Sequence, residues 1–170
     1  MNNNLPSWLQ RHIYIFDNEQ IHHAFIISGS KGIGKSLLIE NLAEKILNNK
    51  ISLENNPDFH NLKILPEKKL IGISQIHELR DKLYESSFLG KNKVAVINEI
   101  EKISIDGLNA ILKILEEPPK NTYFLLSTNF LNQIHLTIQC RCFYIRISTS
   151  EITQSLERLS DYTTKHSLKT

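Results

Sequence analysis

Two hydrophobic rhythms alternate along this chain. Short continuous apolar runs at His23–Ser28 (H-A-F-I-I-S), Lys93–Ile97 (K-V-A-V-I) and Tyr123–Ser127 (Y-F-L-L-S) predict strands buried on both faces. Leu62–Leu65 and Phe143–Ile147 read as two further strands. Between them apolar residues recur at helical spacing. Leu37, Leu38, Leu42 and Ile46 predict a helix over Lys35–Asn48. Ile76, Leu79 and Leu83 predict one over Ser74–Ser86, with Ser74 as its N-cap. Leu108, Ile111, Leu112 and Leu115 predict one over Ser104–Glu117. Pro118-Pro119 ends that helix, because proline has no amide proton and disfavours helix in the residue before it. Asn49–Asn61, containing Pro57, reads as a polar loop. Trp8, with Leu5 and Leu9, reads as the anchor of an N-terminal helix.

This alternation predicts an α/β fold: a three-layer sandwich with a mostly parallel central sheet flanked by helices. Residues 1–150 form the expected nucleotide-binding domain. Residues 151–170 are expected to be a polar tail or the start of a truncated lid, with a helix around Glu151–Leu159.

The strongest chemical signal is Gly29-Ser30-Lys31-Gly32-Ile33-Gly34-Lys35-Ser36, a full match to G-x-x-x-x-G-K-[ST]. A buried strand precedes it and an amphipathic helix follows, as the motif requires. Glycines let the loop turn tightly, so that successive amide protons point at phosphates, and the helix start adds a positive dipole end. Lys35 is expected on the β and γ phosphates of ATP, and Ser36 on Mg²⁺. A second signal follows Val94-Ala95-Val96-Ile97. P-loop ATPases place an Asp at such a strand end to hold Mg²⁺; here the position is Asn98, followed by Glu99, where a water-polarising carboxylate belongs. An amide offers a hard cation less than a carboxylate does, so metal binding is expected to weaken, and hydrolysis to suffer more than nucleotide binding.

Net charge is +2 with a pI near 8.5, too mild to argue for nucleic acid on electrostatics alone. Hydrophobic residues at 41% and charged residues at 22% are ordinary globular values. No apolar run is long enough to span a membrane, and Met1-Asn2-Asn3-Asn4 does not open a signal peptide. Cys140 and Cys142, one residue apart, form no disulfide framework, so a reducing cytoplasm is expected. With nearby His135 they lack structural-zinc spacing, and zinc is not expected.

Several segments resemble the clamp-loader branch of AAA+ proteins, the delta-prime subunits of bacterial DNA polymerase III above all. Asn56-Pro57-Asp58-Phe59-His60 resembles that family's (H/N)-P-D-F/Y-H segment, and Ile73–Leu83 its I-x-x-(I/V)-R-x-L helix. Asn109-Ala110-Ile111-Leu112-Lys113-Ile114-Leu115-Glu116-Glu117-Pro118-Pro119 is close to N-A-L-L-K-T-L-E-E-P-P. Ser127-Thr128-Asn129 is similar to the sensor-1 strand end, which puts Asn129 near the γ phosphate. Thr137-Ile138-Gln139-Cys140-Arg141-Cys142 is similar to T-I-x-S-R-C. The resemblance runs from about Trp8 to Ile147.

The resemblance implies a non-motor clamp-loader subunit in a hetero-oligomer. Arg141 would be a trans arginine finger for a neighbour's ATP, and contacts to the sliding clamp and primer-template DNA would come through the complex. Two alternatives stand beside it: an active ATPase such as the motor subunit, favoured by Lys35, Ser36 and Glu99 and disfavoured by Asn98, or a remnant without partners. Many relatives carry a four-cysteine zinc module between the phosphate loop and the acidic strand; this interval contains no cysteine. The family also continues into a helical lid and collar beyond the point where this chain stops.

Overall fold

The computed structural model describes residues 5–13, 22–149 and 153. The expected helix at 151–159 and the assignment of 151–170 as a tail lie outside these residues, Thr153 apart. Among the described residues five α-helices and five strands follow in chain order: α1 (Ser7–Ile13), β1 (Ala24–Ser28), α2 (Lys35–Leu47), β2 (Phe59–Leu62), α3 (Ile73–Tyr84), β3 (Lys93–Ile97), α4 (Ile105–Glu116), β4 (Thr122–Thr128), α5 (Leu136–Gln139) and β5 (Phe143–Arg146).

The strands form one sheet in the order β2-β3-β4-β1-β5, and every pairing is parallel. All residues of β1 and β3 are buried, and all but one of β4, as their continuous apolar runs require. The edge strands β2 and β5 are only partly covered. Successive side chains point to opposite faces, so each central strand feeds two cores. Phe25, Ile27, Val94, Val96 and Leu125 pack with α1 and α2. Ala24, Ile26, Ala95, Ile97, Phe124 and Leu126 pack with α3, α4 and α5. The three-layer α/β sandwich is therefore present. Leu5 and Leu9 are buried and Trp8 packs beside them, so the N-terminal anchor is also in place.

Two boundaries differ from expectation. The second strand is Phe59–Leu62 rather than Leu62–Leu65. Its register is set by β3, with Phe59 opposite Val94 and Leu62 opposite Ile97, and that pairing ends at Leu62. The apolar Ile64 and Leu65 misled the reading, because an edge strand needs less hydrophobicity than a central one. The N-cap of α3 is Gly72 rather than Ser74. The Gln75 side chain accepts a hydrogen bond from the Gly72 amide at 3.3 Å, closing the first turn from within.

Candidate functional site

The site lies at the carboxyl ends of β1, β3 and β4, the side on which parallel sheets present their loops to ligands. Residues 29–36 join β1 to α2 there. Gly32 and Gly34 have φ of 82° and 103°, a left-handed backbone that glycine tolerates. A Cβ on Gly34 would also come within 3.1 Å of Leu9 Cδ1, and one on Gly29 within 2.8 Å of the Ile147 carbonyl oxygen. The loop is thus wedged between α1 and the end of β5.

A cleft of 710 Å³ opens beside it, lined among others by Lys31, Lys35, Ser36, Asn98, Glu99 and Asn129. That volume suits a small-molecule ligand, for which about 300–1,000 Å³ is usual. The Lys35 ammonium turns back on its own loop. It donates to the Gly29 carbonyl at 2.7 Å, the Ser30 carbonyl at 2.8 Å and Asn129 Oδ1 at 2.8 Å. Three acceptors hold the charge where a phosphate could replace them. Burial pushes the Lys35 ammonium below its ordinary range, while the carboxylates of Glu101 and Glu99 pull it back up. Asn129 is itself pinned: its amide N–H donates to Glu101 Oε1 at 3.2 Å and its Nδ2 to Glu99 Oε1 at 3.4 Å.

The acidic strand end has a different character from a metal site. Asn98 is held at both ends of its amide. Its Oδ1 accepts from Ser127 Oγ at 3.2 Å, and its Nδ2 donates to Asn61 Oδ1 at 2.9 Å. Glu99 sits in the left-handed region at φ 52°, with its N–H donating to Ser127 Oγ at 3.3 Å. Its second carboxylate oxygen pairs with Lys102 Nζ at 3.1 Å. P-loop folds imply Mg²⁺ here, and these residues do not fit it. The position for a charged oxygen is a neutral amide already committed to two partners, and the neighbouring carboxylate is engaged at both oxygens. The exposed Ser36 hydroxyl and the Glu40 carboxylate on the cleft wall remain, and the second oxygen of Glu101 is buried without a hydrogen-bond partner, but none of these stands at the strand-end position where a metal-holding carboxylate belongs. Among the described residues no cluster of His, Cys, Asp or Glu could hold a metal ion.

A family model described as DNA polymerase III, delta subunit, matches residues 5–151. The chain belongs to that family. It is 32% identical to the DNA polymerase III subunit delta' of Buchnera aphidicola subsp. Acyrthosiphon pisum, over 88% of this chain and 50% of that protein. It is 33% identical to the DNA polymerase III subunit gamma of the same organism, over 75% of this chain and 39% of that protein. A solved structure of a DNA polymerase III gamma subunit-related protein from Thermotoga maritima superposes with a TM-score of 0.69 at 25% identity, covering 83% of this chain and 46% of that one. The fold is that of the AAA+ P-loop NTPases. The chain spans about half the length of the delta' relatives it matches.

Not every expected site residue of this DNA polymerase III delta-family chain gathers at the cleft. Gly29, Ser30, Lys31, Gly32, Ile33, Gly34, Lys35, Ser36, Asn98, Glu99 and Asn129 converge at one end of the sheet. Ile33 is buried and faces the core instead of the cleft. Arg141 lies elsewhere. It lies two residues before β5, which pairs from Phe143 opposite Phe25, near the amino-terminal start of β1. Its Nη1 donates to the Thr137 carbonyl at 2.7 Å, and its Nη2 pairs with Glu116 Oε1 at the end of α4. Cys140 is exposed and Cys142 buried, both as free thiols. Sequence reasoning missed Asn61 and Lys63, which line the cleft, and Lys102, which pairs with Glu99, because each reads alone as ordinary surface polarity. Among the described residues no helix is long and apolar enough to cross a membrane.

Proposed function

We propose that the protein is a clamp-loader subunit of a bacterial DNA polymerase III, acting in the cytoplasm beside ATP-binding subunits during sliding-clamp loading. Its role in the assembly is to offer Arg141 to the nucleotide of a neighbour, and its contact with the clamp and primer-template DNA comes mainly through the complex.

The observation that carries this reading is the separation of Arg141 from the chain's own phosphate loop. A guanidinium at the opposite end of the sheet cannot serve its own cleft, so any phosphate it meets belongs to another molecule. Anchored by Thr137 and Glu116, it keeps further N–H donors for phosphate oxygens. An arginine supplied in trans typically accelerates hydrolysis by about 10³–10⁵. The test is a loader reconstituted with Arg141→Ala. ATP turnover at the neighbouring site is expected to collapse while assembly persists. Unchanged turnover would sink the trans role.

An active ATPase is the second reading, supported by Lys35, Ser36 and Glu99 lining one cleft. Against it stand the Asn98 amide and the pairing of Glu99 with Lys102. Purified chain that turns over ATP, with Asn98→Asp changing little, would favour it. A chain that co-purifies with no replication subunit would favour a remnant instead.

A further inference from the structure

Asn98 and its surroundings say more than that a carboxylate is missing. A cleft built for a metal-bound polyphosphate needs anionic oxygens at its floor. Here the floor is Asn61, Asn98 and Ser127, three neutral groups hydrogen-bonded in a row. Of the two carboxylates that follow Asn98, Glu99 is paired with Lys102, and Glu101 is half-buried with one oxygen on the Asn129 amide and the other enclosed. The lining carries an excess of positive charge. Lys31, Lys35 and Lys63 line the cleft against Glu40 and the already paired Glu99. Lys63 follows directly on β2, whose last residue Leu62 lies opposite Ile97, so it emerges at the level of Asn98. Its backbone is fixed there, since the Lys63 carbonyl accepts from Gln75 Nε2 at 3.1 Å.

We propose that this cleft takes a nucleoside diphosphate or triphosphate free of magnesium, with Lys63 and Lys31 supplying the countercharge. The proposal rests on the reading that residues 29–36 bind nucleotide at all. Free polyphosphate is more anionic than its magnesium complex, and a neutral floor with cationic walls favours the more anionic form. A flexible ammonium is a point charge that can follow phosphate oxygens without fixed geometry, unlike an octahedral cation. Lys35 moves from its two loop carbonyls and Asn129 Oδ1 to the ligand, and Asn129 is released with it. With no metal and an engaged Glu99, the bound nucleotide is not hydrolysed. It acts as a structural ligand of the subunit.

The experiment is equilibrium binding of fluorescent ATP and ADP analogues to the purified chain, in EDTA and in excess Mg²⁺. Wild type, Lys35→Ala, Lys63→Ala and Asn98→Asp are compared. Wild type is expected to bind in EDTA at least as tightly as in Mg²⁺, and Lys35→Ala to lose binding in both. Lys63→Ala should weaken binding in EDTA by about tenfold and in Mg²⁺ by less. Asn98→Asp should reverse the preference, so that Mg²⁺ tightens binding. Wild-type binding that requires Mg²⁺, or a Lys63→Ala variant that matches wild type in EDTA, overturns the magnesium-free site while leaving a nucleotide-binding loop. Absence of binding in either condition, with Lys35→Ala indistinguishable from wild type, overturns the underlying reading and this proposal together.

Discussion

The Arg141 guanidinium pairs with the Glu116 carboxylate across 25 residues of sequence, joining the T-I-Q-C-R-C segment to the E-E-P-P helix end. The two most family-like segments of the chain thus meet in one contact. Both side chains remain substantially exposed, at 33% and 47%, so the pair contributes no more than about 1 kcal/mol to stability. Its value lies in holding the guanidinium against the Thr137 carbonyl in one orientation. Glu116→Ala is therefore expected to leave the melting temperature nearly unchanged. It should lower turnover at the neighbouring site of a reconstituted loader by on the order of tenfold, a positioning loss milder than removing the arginine. KM at that site should stay constant. A turnover loss tracking a large loss of stability would make Glu116 a folding residue instead.

How much of this was legible beforehand follows from the kind of signal involved. The central strands were readable because burial on both faces writes a continuous apolar run, as in Val94–Ile97. The phosphate loop was readable because its glycines answer a backbone requirement, seen at Gly32 and Gly34. The edge strand β2 was misplaced, since Phe59-His60-Asn61-Leu62 owes its register to β3 and not to its own composition. Asn98 was legible as a departure from the motif. Its double commitment to Asn61 and Ser127 was not, because Asn61 lies 37 residues away and only the sheet brings them together. The pairing of Glu116 with Arg141, 25 residues apart, escaped for the same reason, whereas Lys102 lies only three residues from Glu99 and escaped because a local ion pair carries no sequence signature of its own.

Asp58 illustrates a motif recognised without its role. It is almost wholly buried, at 1% exposure. Its carboxylate accepts from the amides of Phe88 and Leu89, each at 2.8 Å, and from Ser87 Oγ at 3.2 Å. The N-P-D-F-H segment thereby fastens the loop that leads into β3. Removing the acceptor leaves two amides without their partner, a cost of about 1–3 kcal/mol for each group left unsatisfied. Asp58→Ala should lower unfolding free energy by about 2–4 kcal/mol in a denaturant titration. Asp58→Asn should cost less, since one oxygen still accepts. Equal stability of wild type and Asp58→Ala would remove this account.

The two cysteines should behave differently towards a thiol reagent. Burial pushes the Cys142 thiol up to about 12, against a smaller downward pull from the Arg141 charge. At pH 8 only about one thiolate in 10⁴ is then present, and access is poor as well. Cys140 is exposed. Native protein treated with a disulfide-exchange reagent should release one equivalent promptly, and the second only after denaturation. Cys140→Ser should abolish the prompt phase. Two prompt equivalents from native protein would contradict the burial of Cys142.

Three histidines set the direction of the pH dependence of stability. Burial lowers the pKa of His12, His23 and His60 below the ordinary value of 6.5. Like charges add to the lowering, from Arg11 at His12, His22 at His23 and Lys82 at His60. At His23 the bond between Nε2 and the Leu115 carbonyl at 3.2 Å opposes it. A histidine with a depressed folded pKa is neutral in the folded chain while the unfolded chain already binds the proton. Stability is then complete above 6.5 and falls as the pH drops from there through the lowered folded values. Chemical denaturation between pH 8 and pH 5 should therefore show the unfolding free energy constant above about pH 7 and declining below it. His60 faces cationic Lys82 and Lys93 as well as Asp58 and Glu85. His60→Gln, which cannot take up the proton, should make the decline shallower without moving the plateau at high pH by more than the loss of local packing. A profile rising towards pH 5 would mean that these rings gain rather than lose proton affinity on folding.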